Sequence, residues 1–435
     1  MKPQTMIRAI TALLLLCLLG TTVLCACIEG RSLLSAALND QGELILTYSD
    51  GTTENLGVVK GEDGLPGKKG ESGDVGQAGE NGANGTVLSD AHTQAAAKGL
   101  QSAVSIYCYD TPTSASYSAA GSGVIWRLDR ETGDALIITN YHVVYGTSYR
   151  TADGICGNIR AYLYGAEYKA LALEAEYLGG SMYYDIAVLS VKGSEVLKQS
   201  NAVAATLADS EQIRVGADAI AVGNPKGLGI SASVGIVSID SEYIPMKAAD
   251  GVTSVTMRVM RVDTAVNAGN SGGGLYNADG ALCGIVNAKI MADGVENIAY
   301  AIPSNLAVAV AQNIVDHCDG TTARRVRLAT LGVTVDILDS YAEWDEDGYV
   351  RIVEKVGVRE LAQNGAAYGK LRVNDVLLSV TLGEKTVSVT KRHHVVDLLI
   401  DARVGDVLTF TVSRQGEEDP VTVSMTVGNN HVKDY

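Results

Sequence analysis

The stretch Asp263-Thr264-Ala265-Val266-Asn267-Ala268-Gly269-Asn270-Ser271-Gly272-Gly273-Gly274-Leu275 sets one serine among glycines. Glycines on both sides let backbone N–H groups converge on one point, which a Cβ-bearing turn hinders. A serine hydroxyl is a poor nucleophile until a base takes its proton and a carboxylate orients that base. Two upstream patterns supply both types. Leu136-Ile137-Ile138-Thr139-Asn140-Tyr141-His142-Val143-Val144 places His142 after an apolar run, and Tyr184-Asp185-Ile186-Ala187-Val188-Leu189 places Asp185 at the head of another. Each pattern alone has a plain structural reading: a lone histidine, one acid among 50, an ordinary glycine-rich turn. Together, in the order His, Asp, Ser, they form a candidate catalytic set.

Outward from these residues, short β-rich runs alternate with Gly, Asn and Asp turns: Gly123–Trp126, Ala135–Thr139, Ile186–Val191, Ala219–Val222 and Gly235–Ile239. That texture predicts an all-β barrel or sandwich. The segments TNYHVV, YDIAVL and GNSGG resemble the three catalytic segments of the HtrA/DegP family of trypsin-like serine proteases. Val222–Gly229, Val234–Ser238 and Ile298–Asn305 extend the likeness over roughly residues 99–320. The resemblance implies a mainly β fold, with a double six-stranded barrel and the active site between the barrels. It also implies Ser271 as nucleophile, His142 as general base and acid, Asp185 as its orienting carboxylate, and the N–H groups of Gly269 and Ser271 as the oxyanion hole. Asn267–Asn270 then form the loop that switches this hole. Two departures stand out: Gly274 and Ala268 occupy positions where the family usually has proline, which predicts a looser loop because proline restricts φ. The loop Ala288-Lys289-Ile290-Met291 is expected to border the specificity pocket; without an acid, it favours small or medium apolar side chains.

Residues 324–435 form a second block. Gly369–Val380 resembles the central signature of a PDZ domain, implying a smaller α+β module that takes C-terminal peptides. Leu331, Gly332 and Val333 would be its carboxylate-binding loop. Val395, Leu398, Leu399 and Ala402 recur at helical spacing and predict an amphipathic helix. His393 and His394 at its start face either the ligand or solvent. A metal site is not expected there, since the pair lacks a third ligand in helical register, and no cofactor is expected anywhere.

At the other end, Lys2 and Arg8 precede an apolar run from Ala9 to Leu24, which reads as a secretory signal. Leu24-Cys25-Ala26-Cys27 resembles a lipoprotein processing site with Cys27 as the lipidated residue; an uncleaved N-terminal anchor is the other reading. Both place the remainder outside the cytoplasm. Residues 43–59 hold two β-rich runs around Asp50-Gly51, a hairpin signal. Glycine then takes every third position from Gly61 to Gly85, a register whose chance frequency is on the order of 10⁻⁹ at average glycine usage. This resembles a collagen-like stalk, with a flexible polar spacer as the alternative. Beyond Cys27 stand Cys108, Cys156, Cys283 and Cys318, whose pairing the sequence leaves open; Cys283 sits in an apolar strand pattern and reads as a core thiol.

The 435 residues suggest about three domains by length. The expected organisation is 1–26 signal peptide, 27–60 hairpin segment, 61–85 stalk, 86–98 linker, 99–320 protease domain and 324–435 PDZ domain. A net charge of −16, rising to −18 once Lys2 and Arg8 are removed, argues against nucleic-acid binding. It also argues against electrostatic attachment to anionic lipid, leaving the lipid as the anchor. The chain therefore reads as a membrane-tethered extracytoplasmic endopeptidase for unfolded or misfolded exported proteins, trimeric by its resemblance. The competing reading is a non-catalytic collagen-like surface adhesin or scaffold.

Overall fold

The computed structural model describes residues 32–58, 87–149, 151–166, 171–288, 298–317 and 325–435. Two units divide the chain, Met1–Gly82 and Ala83–Tyr435. The lipidation site at Cys27, the glycine-triplet segment 61–85, the loop residues Lys289 and Ile290, and Cys318 lie outside the described residues.

In the first unit, β1 (Leu33–Leu38), β2 (Glu43–Tyr48) and β3 (Thr53–Val58) form an antiparallel sheet in that order. The β2–β3 pair is the hairpin expected at 43–59. Gly51 adopts φ +82°, and Asp50 Oδ1 accepts the Thr52 N–H at 2.9 Å, so the Asp-Gly pair makes the turn. Strand β1, which the hairpin reading did not include, pairs with β2.

The second unit begins with α1 (Val87–Ser102), followed by β4 (Ala103–Cys108), β5 (Ala119–Asp129) and β6 (Asp134–Thr139). The one-turn helix α2 (Tyr141–Val144) precedes β7 (Ile159–Leu163), β8 (Leu173–Ser181), β9 (Ile186–Val191) and α3 (Glu195–Gln199). These strands close into a barrel in the order β4-β5-β6-β9-β8-β7. Every residue of β9 is buried, so its unbroken apolar run reflects a strand packed on both faces. Next come β10 (Asp218–Gly223), β11 (Ser231–Lys247), β12 (Ser254–Val262), β13 (Gly274–Tyr276), β14 (Leu282–Val286) and β15 (Ala299–Pro303). They too close on themselves, in the order β10-β11-β12-β15-β14-β13. Both interiors are predominantly aliphatic: Val104, Ile106, Ile125, Ile137 and Leu189 in one, Val237, Met260, Val262 and Leu275 in the other.

Helix α4 (Ser304–His317) leads to β16 (Arg327–Ala329), which pairs with the terminal strand β23 (Val432–Asp434). Between them lie β17 (Val333–Trp344), β18 (Val350–Leu361), β19 (Val376–Leu382), β20 (Lys385–Ser388), α5 (Arg392–Asp401), β21 (Val407–Ser413) and β22 (Val421–Thr426). The sheet order is β17-β18-β19-β21-β22, with β20 on β19. Helix α5 buries Val395, Leu398 and Ile400, Ala402 is buried just past its end, and Leu399 is partly buried against the same core. The chain's single phenylalanine, Phe410, is fully buried in this module. Fully buried Asn313 on α4 donates to the carbonyls of Arg327 at 2.8 Å and Ile400 at 2.7 Å, tying the last helix of the barrels to the module. Two backbone bonds offset the desolvation of that amide.

Candidate active site

Each of the three candidate side chains is set by a local backbone device. Strand β6 ends at Thr139, and α2 turns immediately after buried Asn140. Val143 and Val144 are buried, so the turn is anchored on its apolar side while His142 projects the other way with its side chain 18% exposed. Asp185 precedes β9 in the left-handed region at φ +51°, which Asp tolerates better than most residues. Its carbonyl accepts Asn140 Nδ2 at 2.9 Å and the Tyr141 N–H at 3.2 Å, linking the two segments.

The Asp185 carboxylate is buried and surrounded by donors. Oδ1 accepts the His142 backbone N–H at 2.9 Å, and Oδ2 lies 2.6 Å from His142 Nδ1. Oδ2 also accepts Asn287 Nδ2 at 2.8 Å. A carboxylate facing Nδ1 holds the proton on that nitrogen and leaves Nε2 as the basic one.

Ser271 is buried at the mouth of the second barrel, where its hydroxyl accepts the Ala288 N–H at 3.2 Å. Its loop is pinned from the first barrel. Ser122 on β5 donates its N–H to the Ser271 carbonyl at 2.8 Å and its hydroxyl to the Gly269 carbonyl at 2.7 Å. The same hydroxyl accepts the Asn224 N–H at 2.7 Å. Gly269 sits at φ +100°, and a Cβ there would lie 2.3 Å from the Asn224 carbonyl. A Cβ on Gly272 would lie 2.2 Å from the Ser122 carbonyl. Both glycines are therefore required by close approach as well as by positive φ. Among the described residues, neither the Gly269 nor the Ser271 N–H has a hydrogen-bond acceptor. Two unspent donors beside a hydroxyl form a place for developing negative charge.

The departures from proline have a structural reading other than looseness. Gly274 lies inside β13, and a Cβ there would come within 2.4 Å of the Tyr276 ring. That ring is fully buried and its hydroxyl lies 2.8 Å from Ser102 Oγ, so Tyr276 occupies the volume a proline at 274 would need. At Ala268 the carbonyl accepts the Lys226 N–H at 2.7 Å, and the Asn270 N–H donates to the Asn267 carbonyl at 3.0 Å. The loop is held by hydrogen bonds.

Residues 121–285 match the trypsin-like peptidase domain family. The chain is 31% identical over 321 residues to the serine protease Do-like HtrA of Lactococcus lactis subsp. lactis (strain IL1403), covering 71% of each protein. The chain belongs to the HtrA family of serine proteases. It is also 31% identical over 310 residues to the serine protease Do-like HtrA of Bacillus subtilis (strain 168), a match spanning 69% of this chain and 62% of that relative. Among solved structures, it is similar to the HtrA-type protease AlgW with tripeptide, with a TM-score of 0.51, 25% identity and coverage of 79% of this chain and 97% of that one.

In this HtrA-family chain, three contributors to the site escaped the sequence reading: Asn287, Ser122 and Asn140. Asn287 has a faint signal, as a polar residue ending the buried run Leu282–Val286; Ser122 and Asn140 act through the meeting of distant segments. Of the expected specificity loop, Ala288 is described, buried, and bonded to Ser271 through its N–H.

The two histidines of α5 differ from expectation. His393 faces neither ligand nor solvent: it is buried, with Nε2 2.9 Å from Glu211 Oε2, and His394 Nε2 lies 3.3 Å from the same oxygen. Glu211 belongs to a 3-10 turn (Ser210–Gln212) before the second barrel. The fold thus supplies the third polar partner that the sequence lacked. Buried Arg258 takes up the charge, donating to Glu211 Oε1 at 2.7 Å and pairing with Asp397. Burial holds His393 down to about 4, despite the opposing hydrogen bond to Glu211. Burial pushes Asp397 up to about 6 against the pull of Arg258. The cluster is a charge-paired contact between the barrels and the C-terminal module.

In that module Leu331 is buried and Gly332 adopts φ +69°. Val333 begins β17, which lies at the edge of its sheet. The Gly332 carbonyl accepts the Ala362 N–H at 2.8 Å, while the N–H groups of Leu331 and Gly332 have no acceptor among the described residues.

Proposed function

We propose that the chain is a membrane-tethered, extracytoplasmic serine endopeptidase that cleaves unfolded or misfolded exported proteins. Ser271 attacks the scissile carbonyl, His142 Nε2 takes its proton and returns it to the leaving amine, and Asp185 holds the imidazole in that tautomer. The N–H groups of Gly269 and Ser271 receive the oxyanion. The observation that carries this reading is the 2.6 Å contact between Asp185 Oδ2 and His142 Nδ1, in a fold that leaves those two N–H groups unspent. In this ground state Ser271 Oγ bonds to Ala288 N–H, so the hydroxyl turns toward Nε2 as substrate enters; such bonds commonly tighten only in the complex.

The C-terminal block acts as a PDZ module. Edge strand β17, with the unpaired N–H groups of Leu331 and Gly332 before it, supports addition of a peptide strand whose carboxylate ends at those donors. Lipidation at Cys27, a collagen-like stalk at 61–85 and a trimer complete the organisation. Protease and PDZ boundaries are taken at 99–320 and 324–435. The test is cleavage of unfolded casein by the full chain and by Ser271→Ala. Removing the nucleophile of such a set lowers kcat by about 10⁶; equal rates in the two proteins would overturn the peptidase reading.

A further inference from the structure

Two thiols meet beneath the turn that carries His142. Cys108 ends β4, and Cys156 follows α2 by a short segment. Cys108 Sγ donates to the Val143 carbonyl at 3.4 Å, and the Cys156 N–H donates to the Val144 carbonyl at 2.8 Å. The two carbonyls directly after His142 are therefore each held by one cysteine. Both residues belong to one buried cluster inside the first barrel. Cys156 Sγ lies within 3.5 Å of the Tyr109 carbonyl and accepts the Asn158 N–H at 3.4 Å. Both residues are buried, with Cys108 at 0% and Cys156 at 2% exposure. Cys283 is different: it lies in the core of the other barrel, with Sγ on the Leu275 carbonyl at 3.3 Å.

We propose that Cys108 and Cys156 are joined as a disulfide beneath the histidine-bearing turn; the bond gives up the Cys108 S–H contact and braces the turn through the covalent link and the Cys156 N–H bond to Val144. Of the three pairings the sequence leaves open, this is the one the fold brings together. Exported proteins meet oxidants that cytosolic ones do not, and the co-reactant required is itself a disulfide, small or protein-borne. The Cys156 thiolate attacks one sulfur of that donor and expels the first thiolate. Cys108 then attacks the Cys156 sulfur and expels the second. Two electrons pass from the cysteine pair to the donor, and the two protons leave with the two thiols it becomes. The pair is polarised for this order. The neighbouring Cys108 thiol, with the backbone groups of Asn158 and Tyr109, pulls Cys156 down to about 7 against its burial. The same contact, with burial, pushes Cys108 up. Because both sulfurs are shielded in the folded chain, exchange occurs while the chain folds or when the segment after α2 opens. Once made, the bond is protected from external reductant.

The experiment is peptide mapping of the full chain refolded with oxidised glutathione, alkylated under denaturing conditions without reductant. The expected result is a peptide linking Cys108 to Cys156, with Cys283 alkylated. Alkylation of both Cys108 and Cys156, or linkage of either to Cys283 or Cys318, overturns the proposal. A second readout tests the clasp: amide exchange at residues 142–145 should be about tenfold slower in the oxidised chain than in the Cys108→Ser/Cys156→Ser variant. Equal exchange shows that the bond does not brace the turn. Neither measurement depends on peptidase activity.

Discussion

Two buried aspartates, one in each half of the second unit, solve the same physical problem with opposite consequences. Asp185 is 3% exposed and Asp375 is 1% exposed. Both sit at a left-handed backbone position or beside one, Asp185 at φ +51° and Asn374 at φ +71°. Both carboxylates are satisfied by several donors, as burial demands. Asp185 is met by His142 Nδ1, the His142 N–H and Asn287. Asp375 is met by Arg414 at 2.8 and 2.6 Å and by the Arg372 N–H at 2.8 Å. The difference lies in the principal partner. An imidazole exchanges a proton near neutral pH, whereas a guanidinium does not. In the proposed mechanism one buried carboxylate orients a mobile proton; the other holds the turn before β19 to the strand β21 side of the sheet.

Substitution at the two positions should separate these roles. Asp185→Asn keeps a residue that tolerates its backbone conformation but presents the wrong hydrogen-bonding atoms to His142. In trypsin-type sites this lowers kcat by about 10⁴ while leaving the geometry intact. Steady-state kinetics on an unfolded substrate, with a thermal melt alongside, should show that large loss of rate with little loss of stability. Arg414→Met should do the reverse. It strands Asp375 without its cation, a change that costs about 3–5 kcal/mol in buried pairs, read by urea denaturation. The rate per folded molecule on a substrate lacking a free carboxyl end should stay close to that of the parent. A large rate loss in Arg414→Met, at full folding, would break the comparison.

A smaller effect sharpens it. Asn287→Ala removes one donor from Asp185 Oδ2 and leaves the histidine bond in place. Hydrogen bonds to charged groups contribute about 1.5–3 kcal/mol, so kcat should fall roughly 10- to 100-fold with KM little changed. A change confined to KM would assign Asn287 to substrate contact instead.

The legibility of the two aspartates differs for a physical reason. The local settings of Asp185, His142 and Ser271 are legible in the sequence because each is flanked by residues its own geometry demands: an apolar strand, a valine-anchored turn, glycines at positive φ. The strands were readable for the same reason, as with β9 and its unbroken apolar run. Asn287 and Ser122 were not, because their roles arise where segments distant in sequence meet. Glu211 was missed for the same cause: nothing near it announces a meeting with α5, and the histidines beside it read as facing either a ligand or solvent. Gly274 misled in another way. Its lack of a ring looked like freedom, while the side chain of Tyr276, two residues on, fills that space.

The smallest effect concerns pH at the C-terminal aspartate. Burial acts to raise the Asp375 pKa, but the bonds from Arg414 and the Arg372 N–H outweigh it and hold the carboxyl below its ordinary value of 3.8. A carboxyl with a depressed folded-state value stabilises the fold above its unfolded value, and that contribution is lost as pH falls through the folded one. Asp375→Asn has no such proton to bind. The stability gap between parent and Asp375→Asn should therefore be constant from neutral pH down to about 5 and narrow progressively below about 4. Urea denaturation of the two proteins across that range checks it. A gap that stays constant to pH 2 would mean that the Arg414 contact contributes through packing of its side chain and not through the charge of Asp375, and the parallel with Asp185 would then rest on geometry alone.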